Sequence, residues 1–326
     1  MKAPMIAPLW RLGLSLSWLA FGSIWAAEQP EFTDIRRLTN KEIQLSLSGS
    51  VGVSYRIDAA TNLPEWGGLV TLFSTGIYQH IDAATPYLNS RFYRAEQLVG
   101  TNHVTGDHLV TTNGDVVFHP VNHASFVMSW NGKIIYNDPV GGAGRYVLFP
   151  RADLILVSHE HGDHFDVPTL QAVRKTNGII IAPARVYNHS SMTTSLRSNT
   201  IILSYGMFTN ILDLTVEAVP GYNSRHLYTT NNCYVTTMGG KRIFTSGDTA
   251  DVTEIRALTN IDVAFVAINL PFTMSVDAAA SMVRQFRPKV VYPYHYIPST
   301  PTTDLNRFKQ LVGTDLGIEV RLRNWY

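Results

Sequence analysis

Cysteine is almost absent from this chain of 326 residues, which contains Cys233 and no other. A lone cysteine excludes any disulfide bond within the chain. Cys233 lies in a strand-like stretch, residues 232–237, where a buried free thiol is the usual state. We therefore expect Cys233 to be structural rather than a metal ligand.

A charge excess of either sign is also lacking, since 26 lysine and arginine residues face 25 aspartate and glutamate residues and leave a formal net charge of +1. Such a balance gives no electrostatic reason to expect nucleic acid or an acidic membrane surface as a partner. The chain has no internal repeat and no low-complexity tract. Because 45% of its residues are hydrophobic, the chain can bury a sizeable core, which excludes wholesale disorder.

Long hydrophobic runs are missing beyond residue 27, and no later run could cross a bilayer. The apolar run at residues 12–21 is too short to span as well, but it follows two basic residues and precedes the alanine pair at 26–27. This pattern is typical of a secretory signal peptide over residues 1–27. We expect a secreted or periplasmic protein, with an uncleaved N-terminal anchor as the alternative.

The length of the chain suits two domains rather than one. Residues 32–97 contain short alternating stretches, such as 42–48 and 51–57, and turn signals lie between them and the end of this region. Strands at this spacing predict a small all-β module that resembles a sandwich. No histidine, aspartate or cysteine cluster converges there, so we expect a structural or adhesive role for the module.

From about residue 106 the pattern changes, and strand-like stretches alternate with helix-like ones. Residues 152–157 form a continuous apolar run, typical of a strand buried on both faces. We expect one helix from Asp166 to about residue 177 and another at 275–287 that is capped by Ser275. Further strands are expected at 241–246, 261–268 and 289–294. This alternation predicts an α/β domain in which helices pack over sheets.

Chemistry is concentrated in the segment His159-Glu160-His161-Gly162-Asp163-His164, which directly follows the predicted buried strand. Sites in α/β proteins usually lie at such strand ends. His159 and His161 are two residues apart and can aim at one point, while Asp163 and His164 can face a neighbouring point. Gly162 is expected to allow a tight turn between the pairs. Imidazole and carboxylate suit zinc, manganese or iron, so the segment predicts a metal site.

The spacing His159-x-His161-x-Asp163-His164 resembles the signature of the metallo-β-lactamase fold, a four-layer αββα sandwich of metal-dependent hydrolases. Three further stretches match in the expected order, namely 135–139 with Asp138, 244–249 with Asp248 and 292–296 with His295. The resemblance spans about residues 106–298.

Residues 122–125, Asn-His-Ala-Ser, are similar to the opening of the lactonase-like branch, which is related to ascorbate-phosphate lactonases. Within this stretch His123 would lie near the entrance of the site. The fold class implied is therefore α/β, with an αββα metallo-β-lactamase sandwich over residues 106–326 preceded by the small all-β domain.

The resemblance implies a centre with two divalent metal ions, zinc in the first place and manganese or iron as alternatives. The ligands it implies are His159 and His161 for the first metal, Asp163, His164 and His295 for the second, and Asp248 as the bridge. A water or hydroxide held between the metals would be the nucleophile, and Asp163 could orient it or receive its proton. Asp138 would accept a hydrogen bond from a ligand histidine.

The third ligand of the first metal departs from the family pattern. The family commonly supplies another histidine after a strand in the middle of the domain, but Asn223 occupies that place and His226 follows three residues later. Either residue could complete the coordination shell, or the first site could be weak or empty. An amide oxygen is a poorer zinc ligand than an imidazole, so the sequence leaves this ligand open.

The expected function is hydrolysis of a lactone, an ester or a related bond in a small substrate. A phosphodiesterase or phospholipase-like activity is the enzymatic alternative, and a positively charged pocket built from Arg145, Arg225 or Lys241 would favour it. A third reading is a non-catalytic metal-binding protein attached through the β module. The complete set of histidine and aspartate residues argues against that reading, because a binding module has no need of them.

Overall fold

The computed structural model describes residues 29–100, 103–298 and 303–326. The predicted signal peptide at residues 1–27 lies outside the described residues. Across the described ranges, no helix combines the length and the apolar character needed to cross a bilayer.

Within these ranges the chain forms twenty β-strands, six α-helices and two short 3-10 helices. The strands are β1 Glu31–Arg37, β2 Ile43–Ser48, β3 Ser54–Ala60, β4 Gly67–Phe73, β5 Ile77–Asp82, β6 Phe92–Gln97, β7 Gly106–Leu109, β8 Val116–Asn122, β9 Ser125–Trp130, β10 Lys133–Asn137, β11 Ala152–Leu156, β12 Arg174–Ala182, β13 Thr200–Ile202, β14 Phe208–Ile211, β15 Leu214–Gly221, β16 Asn231–Met238, β17 Lys241–Thr245, β18 Val263–Ala267, β19 Val290–Tyr294 and β20 Glu319–Val320. The α-helices are α1 Val167–Val173, α2 Ala184–Tyr187, α3 Thr194–Arg197, α4 Thr253–Arg256, α5 Val276–Phe286 and α6 Leu305–Val312. The 3-10 helices are Thr85–Tyr87 and Ala143–Tyr146.

Two large sheets organise the chain beyond residue 106. The ten-stranded sheet has the order β13-β12-β11-β10-β9-β8-β7-β4-β3-β6, and the seven-stranded sheet has the order β14-β15-β16-β17-β18-β19-β20. Strands β10 to β13 pair in parallel, and so do strands β17 to β20. Because parallel strands end at the same edge, each sheet has one edge where the following loops can gather polar side chains.

Apolar side chains between the two large sheets form the central core. Phe126 of β9 stacks on Phe265 of β18 across this core, with ring centroids 4.3 Å apart. A second cluster joins the seven-stranded sheet to α4, α5 and α6, and a third joins the ten-stranded sheet to α1, α2 and α3. The layers therefore run helix, sheet, sheet, helix, which confirms the predicted αββα sandwich.

The strands before residue 100 pack around a core of their own, which includes Leu45, Tyr55 and Leu72. Strands β1, β2 and β5 form a three-stranded sheet, whereas β3, β4 and β6 extend the ten-stranded sheet. The join is an antiparallel pairing of β4 with β7, in which Val70 lies opposite Asp107. Strands from the region before residue 100 thus belong to the same sheet as strands β7 to β13.

The two predicted helices have different outcomes. The helix at 275–287 is confirmed as α5, because the Ser275 hydroxyl caps it by accepting a hydrogen bond from the Ala278 amide at 3.1 Å. The helix from Asp166 is wrong at its end, because α1 stops at Val173 and β12 begins at the next residue. Pairing of β12 with β11 outweighs the local helix preference there.

The single cysteine is buried, as predicted. The thiol of Cys233 donates a hydrogen bond to the Ser246 carbonyl oxygen at 2.8 Å. Burial raises the pKa of this thiol well above its ordinary value, so Cys233 is a neutral packing residue.

A buried ionic cluster joins β7 to the C-terminal segment. Asp107 Oδ2 accepts hydrogen bonds from the Tyr292 hydroxyl and from Arg323 Nε, both at 2.8 Å. Arg321 in turn donates to the Tyr292 hydroxyl at 2.9 Å. Burial alone would raise the pKa of Asp107, but the charges of Arg323 and Arg321 outweigh it and hold this pKa well below its ordinary value.

Replacing Asp107 with asparagine should lower the free energy of unfolding by about 3–5 kcal/mol at neutral pH, because Arg323 then stays buried without its counter-charge. A carboxylate with a lowered pKa in the folded state stabilises fully above its unfolded pKa of about 4, and this contribution is lost as the pH falls towards the folded value. The difference between wild type and Asp107→Asn should therefore shrink below pH ~4. Urea unfolding of both proteins in the presence of a chelator, from neutral pH to below pH ~4, measures this difference in free energy. A difference that does not change with pH would contradict an ionised, stabilising Asp107.

Candidate metal centre

Polar loops at the carboxyl ends of four strands meet at one edge of the facing sheets. The residues they supply are His159, His161, Asp163 and His164 after β11, His226 after β15, Asp248 after β17 and His295 after β19. His161 and Asp163 are exposed, and the other members are buried. The structure thus brings all the histidine and aspartate candidates from the sequence together.

His159, His161 and His226 form a first group that could hold a metal ion. His226 Nε2 lies 2.9 Å from His161 Nδ1. The centroid of the His159 ring lies 4.8 Å from that of His161 and 4.4 Å from that of His226. Each ring can direct one nitrogen towards a common point, and three imidazoles with an open fourth position are a known ligand set of catalytic zinc.

His164, Asp248 and His295 form a second group, and all three side chains are buried. The Nε2 atoms of the two histidines lie 2.9 Å apart. Asp248 Oδ1 is 3.2 Å from His164 Nε2 and 3.0 Å from His295 Nε2. Asp163 adds a carboxylate oxygen 3.6 Å from His295 Nε2, so this group combines imidazole with carboxylate.

Asp248 lies between the two groups. While its Oδ1 faces the second group, its Oδ2 is 4.0 Å from His159 Nε2 in the first group. Burial alone would raise the pKa of Asp248, but the charges of His295 and His164 outweigh it and hold this pKa well below its ordinary value. An ionised carboxylate with one oxygen towards each group has the arrangement expected of a bridging ligand.

Two buried atoms of this cluster, His159 Nε2 and Asp248 Oδ1, have no hydrogen-bond partner among the described residues. Asp248 Oδ1 is close to two imidazoles but meets neither with hydrogen-bond geometry. Buried polar atoms are normally paired, because an unpaired one costs about 1–3 kcal/mol. Lone pairs that converge without a proton donor fit a cation, so the donor set suits divalent metal ions.

A buried network fixes the orientation of the His164 ring. His164 Nδ1 lies 2.9 Å from Asp138 Oδ2, and Ser158 donates to the same carboxylate from its amide at 2.7 Å and its hydroxyl at 2.8 Å. His164 Nδ1 donates in this contact, so the hydrogen bond predicted for Asp138 is present, and Nε2 faces the second group. Although burial lowers the pKa of His164, Asp248 and Asp138 raise it well above its ordinary value, because the two carboxylates attract positive charge to this position, whether a proton or a metal ion supplies it.

Asn223 is placed to orient the His226 ring rather than to bind a metal itself. Its Oδ1 accepts hydrogen bonds from the Arg225 amide at 2.7 Å, the His226 amide at 2.8 Å and His226 Nδ1 at 3.0 Å. Three donors leave this oxygen no lone pair for a metal, whereas His226 Nε2 stays free to bind one. Burial lowers the pKa of His226 to about 4, which favours the neutral ring that binds metals. Of the two residues that the sequence leaves open, the geometry favours His226.

His123 and Tyr326 complete the surroundings of the second group. His123 Nε2 lies 3.4 Å from Asp163 Oδ2, and the His123 ring lies 3.8 Å from the His295 ring between centroids. The Tyr326 hydroxyl is 2.7 Å from His123 Nδ1 and donates to the Tyr296 carbonyl. The motif at 122–125 places His123 near the site, but no local signal in the sequence indicates Tyr326.

Three of these side chains come from residues in the left-handed backbone conformation. The φ angles of His123, Asp138 and His295 are 52°, 41° and 50°. Residues other than glycine rarely adopt this conformation, and where packing enforces it the strain is often found at functional sites. The surrounding sheets therefore hold these three residues in place at a cost in backbone energy.

Glycine is required at one position of the site and not at another. Gly247, just before Asp248, has φ of 50°, and a Cβ there would lie 3.0 Å from Ser158 Cβ. Gly162 has no left-handed φ, and a Cβ there would meet nothing within 4 Å. The expected tight turn is present, because the His164 amide donates to the His161 carbonyl oxygen at 2.9 Å, but it uses backbone angles open to any residue.

A cavity of about 440 Å³ opens over the two groups. It is lined by His161, Asp163, Arg225, His226, Asp248 and Phe272. Of the three basic residues considered from the sequence, Arg225 alone lines this cavity. Lys241 instead lies 3.7 Å from Asp262 at the start of β17, far from the carboxyl ends of the strands.

Comparison with known proteins places this geometry in a family. A family model described as a beta-lactamase superfamily domain matches residues 118–295, which include every ligand candidate. The chain is 32% identical to a UPF0173 metal-dependent hydrolase of Thermococcus kodakarensis over 205 residues, or 59% of this chain and 90% of that protein.

Solved structures agree with this result. A protein of Parabacteroides distasonis assigned as a metal-dependent hydrolase has a TM-score of 0.60 and 34% identity, over 68% of this chain and 99% of that one. Igni18, a metallo hydrolase of Ignicoccus hospitalis, has a TM-score of 0.55 and 24% identity, over 64% of this chain and 94% of that one, and supports the fold alone.

An αββα sandwich with a histidine and aspartate centre at its strand ends defines a metal-dependent hydrolase of the metallo-β-lactamase superfamily. Within that superfamily, the chain belongs to the UPF0173 family of metal-dependent hydrolases.

Removal of His226 and removal of Asn223 should have different effects on metal content. His226→Ala should lose about one equivalent of metal, because it deletes a ligand atom. Asn223→Ala should keep the metal at saturation but bind it about 10–100-fold more weakly, because the ring of His226 loses its orienting partner. Elemental analysis and competition with a chelator measure both, with His103→Ala as a histidine control outside the centre. Full metal content in His226→Ala together with metal loss in Asn223→Ala would make Asn223 the ligand.

Alanine substitutions at Gly247 and at Gly162 should show which of the two positions requires glycine. Gly247→Ala should destabilise the protein by at least about 1–2 kcal/mol and reduce metal content, because alanine is disfavoured in the left-handed conformation and displaces Asp248. Gly162→Ala should change stability by less than about 0.5 kcal/mol. Urea unfolding of the two variants tests this, and equal destabilisation by both would contradict it.

Proposed function

We propose that the protein uses two divalent metal ions, zinc in the first place and manganese or iron as alternatives, to hydrolyse a lactone, an ester or a related bond in a small substrate. The observation that carries the proposal is Asp248, whose two oxygens face two separate groups of ligands beneath an open cavity. Bound metal ions of this kind lower the pKa of a water molecule towards ~7 and polarise the bond to be cleaved.

The side chains divide into holding and orienting roles. On this proposal the ligands are His159, His161 and His226 for the first metal, Asp163, His164 and His295 for the second, and Asp248 for both. Asp138 and Asn223 lie behind them, and each fixes the ring nitrogen that a histidine presents. Such partners keep the ligands in one arrangement before substrate arrives.

Asp163 is the candidate catalytic residue. Its side chain is 49% exposed, unlike the buried Asp248, and it lines the cavity. An aspartate carboxylate at this place can orient a water molecule towards the substrate and accept its proton. His123 Nε2 lies 3.4 Å from Asp163 Oδ2 and restricts the rotation of the Asp163 carboxylate.

A phosphodiesterase or phospholipase-like activity is the second candidate. The observation that favours it is Arg225, whose guanidinium stands at the cavity and suits an anionic substrate. The non-catalytic alternative is not retained, because the relatives that define the family are metal-dependent hydrolases.

Metal removal should abolish turnover. Purified protein is expected to contain about two equivalents of divalent metal, and chelation should reduce hydrolysis of a responsive lactone or ester to the background rate, with recovery on adding zinc, manganese or iron(II). Asp163→Asn should keep the second metal, which His164, His295 and Asp248 still hold, but lower kcat by about 10²–10⁴-fold. A panel of lactones, aryl esters and bis(p-nitrophenyl) phosphate identifies the bond type.

His103→Ala serves as the matched control, since this histidine lies outside the centre and bonds to the Val99 carbonyl. It should retain wild-type metal content and rate. Absence of stoichiometric metal after purification under metal-replete conditions would refute the dinuclear proposal, and metal without cleavage of any member of the panel would refute the proposed bond types.

A further inference from the structure

Arg225 and Phe272 form a built subsite beside the metal centre, and we propose that it binds an anionic group, a carboxylate or a phosphate, attached to an apolar part of the substrate. This inference rests on the proposed function and narrows its substrate class. Both residues line the cavity together with His161, Asp163, His226 and Asp248. A ligand held there lies next to the residues that would act on it.

The guanidinium of Arg225 is stacked and free of a counter-charge. Its carbon lies 4.8 Å from the centroid of the Phe272 ring, within the range of a cation–π contact. Across the part of the chain that the structure describes, no carboxylate forms an ion pair with Arg225. Arg185, in contrast, is paired with Glu160 in the metal loop. Arg225 is therefore the cation at this cavity whose N–H donors are available to a ligand.

Asn223 fixes the subsite and the metal centre at the same time. Its Oδ1 accepts from the Arg225 amide at 2.7 Å, and its Nδ2 donates to the Phe272 carbonyl at 2.9 Å and to the Asp248 carbonyl at 3.1 Å. One side chain thus joins the loop that carries Arg225 to the loop that carries Phe272. The position of Arg225 is set by the same residue that orients His226.

The chemistry of the pair indicates the ligand. A guanidinium presents N–H donors in a plane that matches the two oxygens of a carboxylate or the oxygens of a phosphate. The contact with Phe272 restricts the side chain, and no carboxylate of the described residues occupies its N–H donors. An arginine that only kept the surface soluble would need no contact with an aromatic ring.

Exposed apolar side chains on the same two loops indicate the remainder of the ligand. Leu227 and Tyr228, which follow Arg225, are 69% and 55% exposed, and Leu270 and Phe272 are 42% and 40% exposed. Phe272 lines the cavity, and the other three lie on the loops that supply Arg225 and Phe272 to its lining. Exposed apolar side chains on such loops commonly mark a binding surface. The substrate class is therefore an organic anion with an apolar group, and a small polar sugar would leave this surface uncovered.

The first test compares two aryl esters in the metal-loaded protein, one whose acyl chain ends in a carboxylate and the same ester with that carboxylate methylated. Arg225→Ala should raise KM for the charged ester about 10- to 100-fold, as expected for loss of a charged hydrogen bond, and change kcat/KM for the neutral ester less than about twofold. Arg225→Lys should recover part of the loss, because it restores charge without the planar fork. Equal losses on both esters would overturn the proposal.

Arg151→Ala is the matched control, because Arg151 is exposed and precedes β11 at the end of the strand opposite the metal loop. It should leave both esters unaffected. Elemental analysis should show unchanged metal content in Arg225→Ala, because that substitution keeps the backbone amide that bonds to Asn223. Loss of metal in this variant would mean that Arg225 is structural, and would overturn the proposal.

The second test measures binding without turnover, so that failure of the subsite and failure of the proposed hydrolysis are distinguishable. In calorimetry with the metal-loaded protein, at least one of the two anions, benzoate or phenylphosphonate, should bind. Arg225→Ala should weaken the affinity for that anion about 10-fold or more. Binding of benzoate alone assigns a carboxylate, and binding of phenylphosphonate alone assigns a phosphate. Binding of neither, or binding that is insensitive to Arg225, overturns the subsite whether or not any ester is cleaved.

Discussion

The hydrogen bond between His164 and the buried carboxylate of Asp138 is the contact on which the metal centre depends. Asp138 follows β10 and Ser158 follows β11, and these strands are neighbours paired in parallel. The register of these two strands places Asp138 beside the His164 ring, and the hydrogen bond then fixes the orientation of that ring. A slip of one residue would turn Asp138 away from the ring. Ser158 and the Asn137 amide also donate hydrogen bonds to this carboxylate, so protein groups fix its position.

Asn223 does for the first group what Asp138 does for the second, but without charge. The second group contains two carboxylates and is backed by a third, whereas the first consists of three imidazoles, one of which is oriented by an amide. Electrostatic attraction for a cation is consequently stronger at the second group. The bridging position of Asp248 compensates for this difference, because its Oδ2 faces His159 and lends charge to the first group. The two positions are thus coupled through one side chain.

The C-terminal segment connects the early strands with the centre. Arg323 binds Asp107 of β7, next to the pairing that joins β7 to β4, and Tyr326 three residues later reaches His123 beside the second group. A short stretch of chain therefore contacts both the junction of the ten-stranded sheet and the surroundings of the ligands. Arg225 and Phe272 line the cavity from two loops that Asn223 joins. The site is built from residues of both sheets.

The sequence by itself determined the αββα class, the strands around the metal loop, the capped helix α5, the burial of Cys233 and the orienting role of Asp138. The strands, helix α5 and the burial of Cys233 follow from periodicity and capping, whereas the αββα class and the role of Asp138 follow from the resemblance of the metal motif to a known fold. The signal peptide and the domain boundaries stay predictions. Tertiary structure decided the end of α1, the choice between Asn223 and His226 and the presence of Tyr326 at the site. It also decided that position 162 does not require glycine. Each of these depends on which backbone donors, strands or rings lie within a few ångströms after folding, and residues distant in sequence supply them.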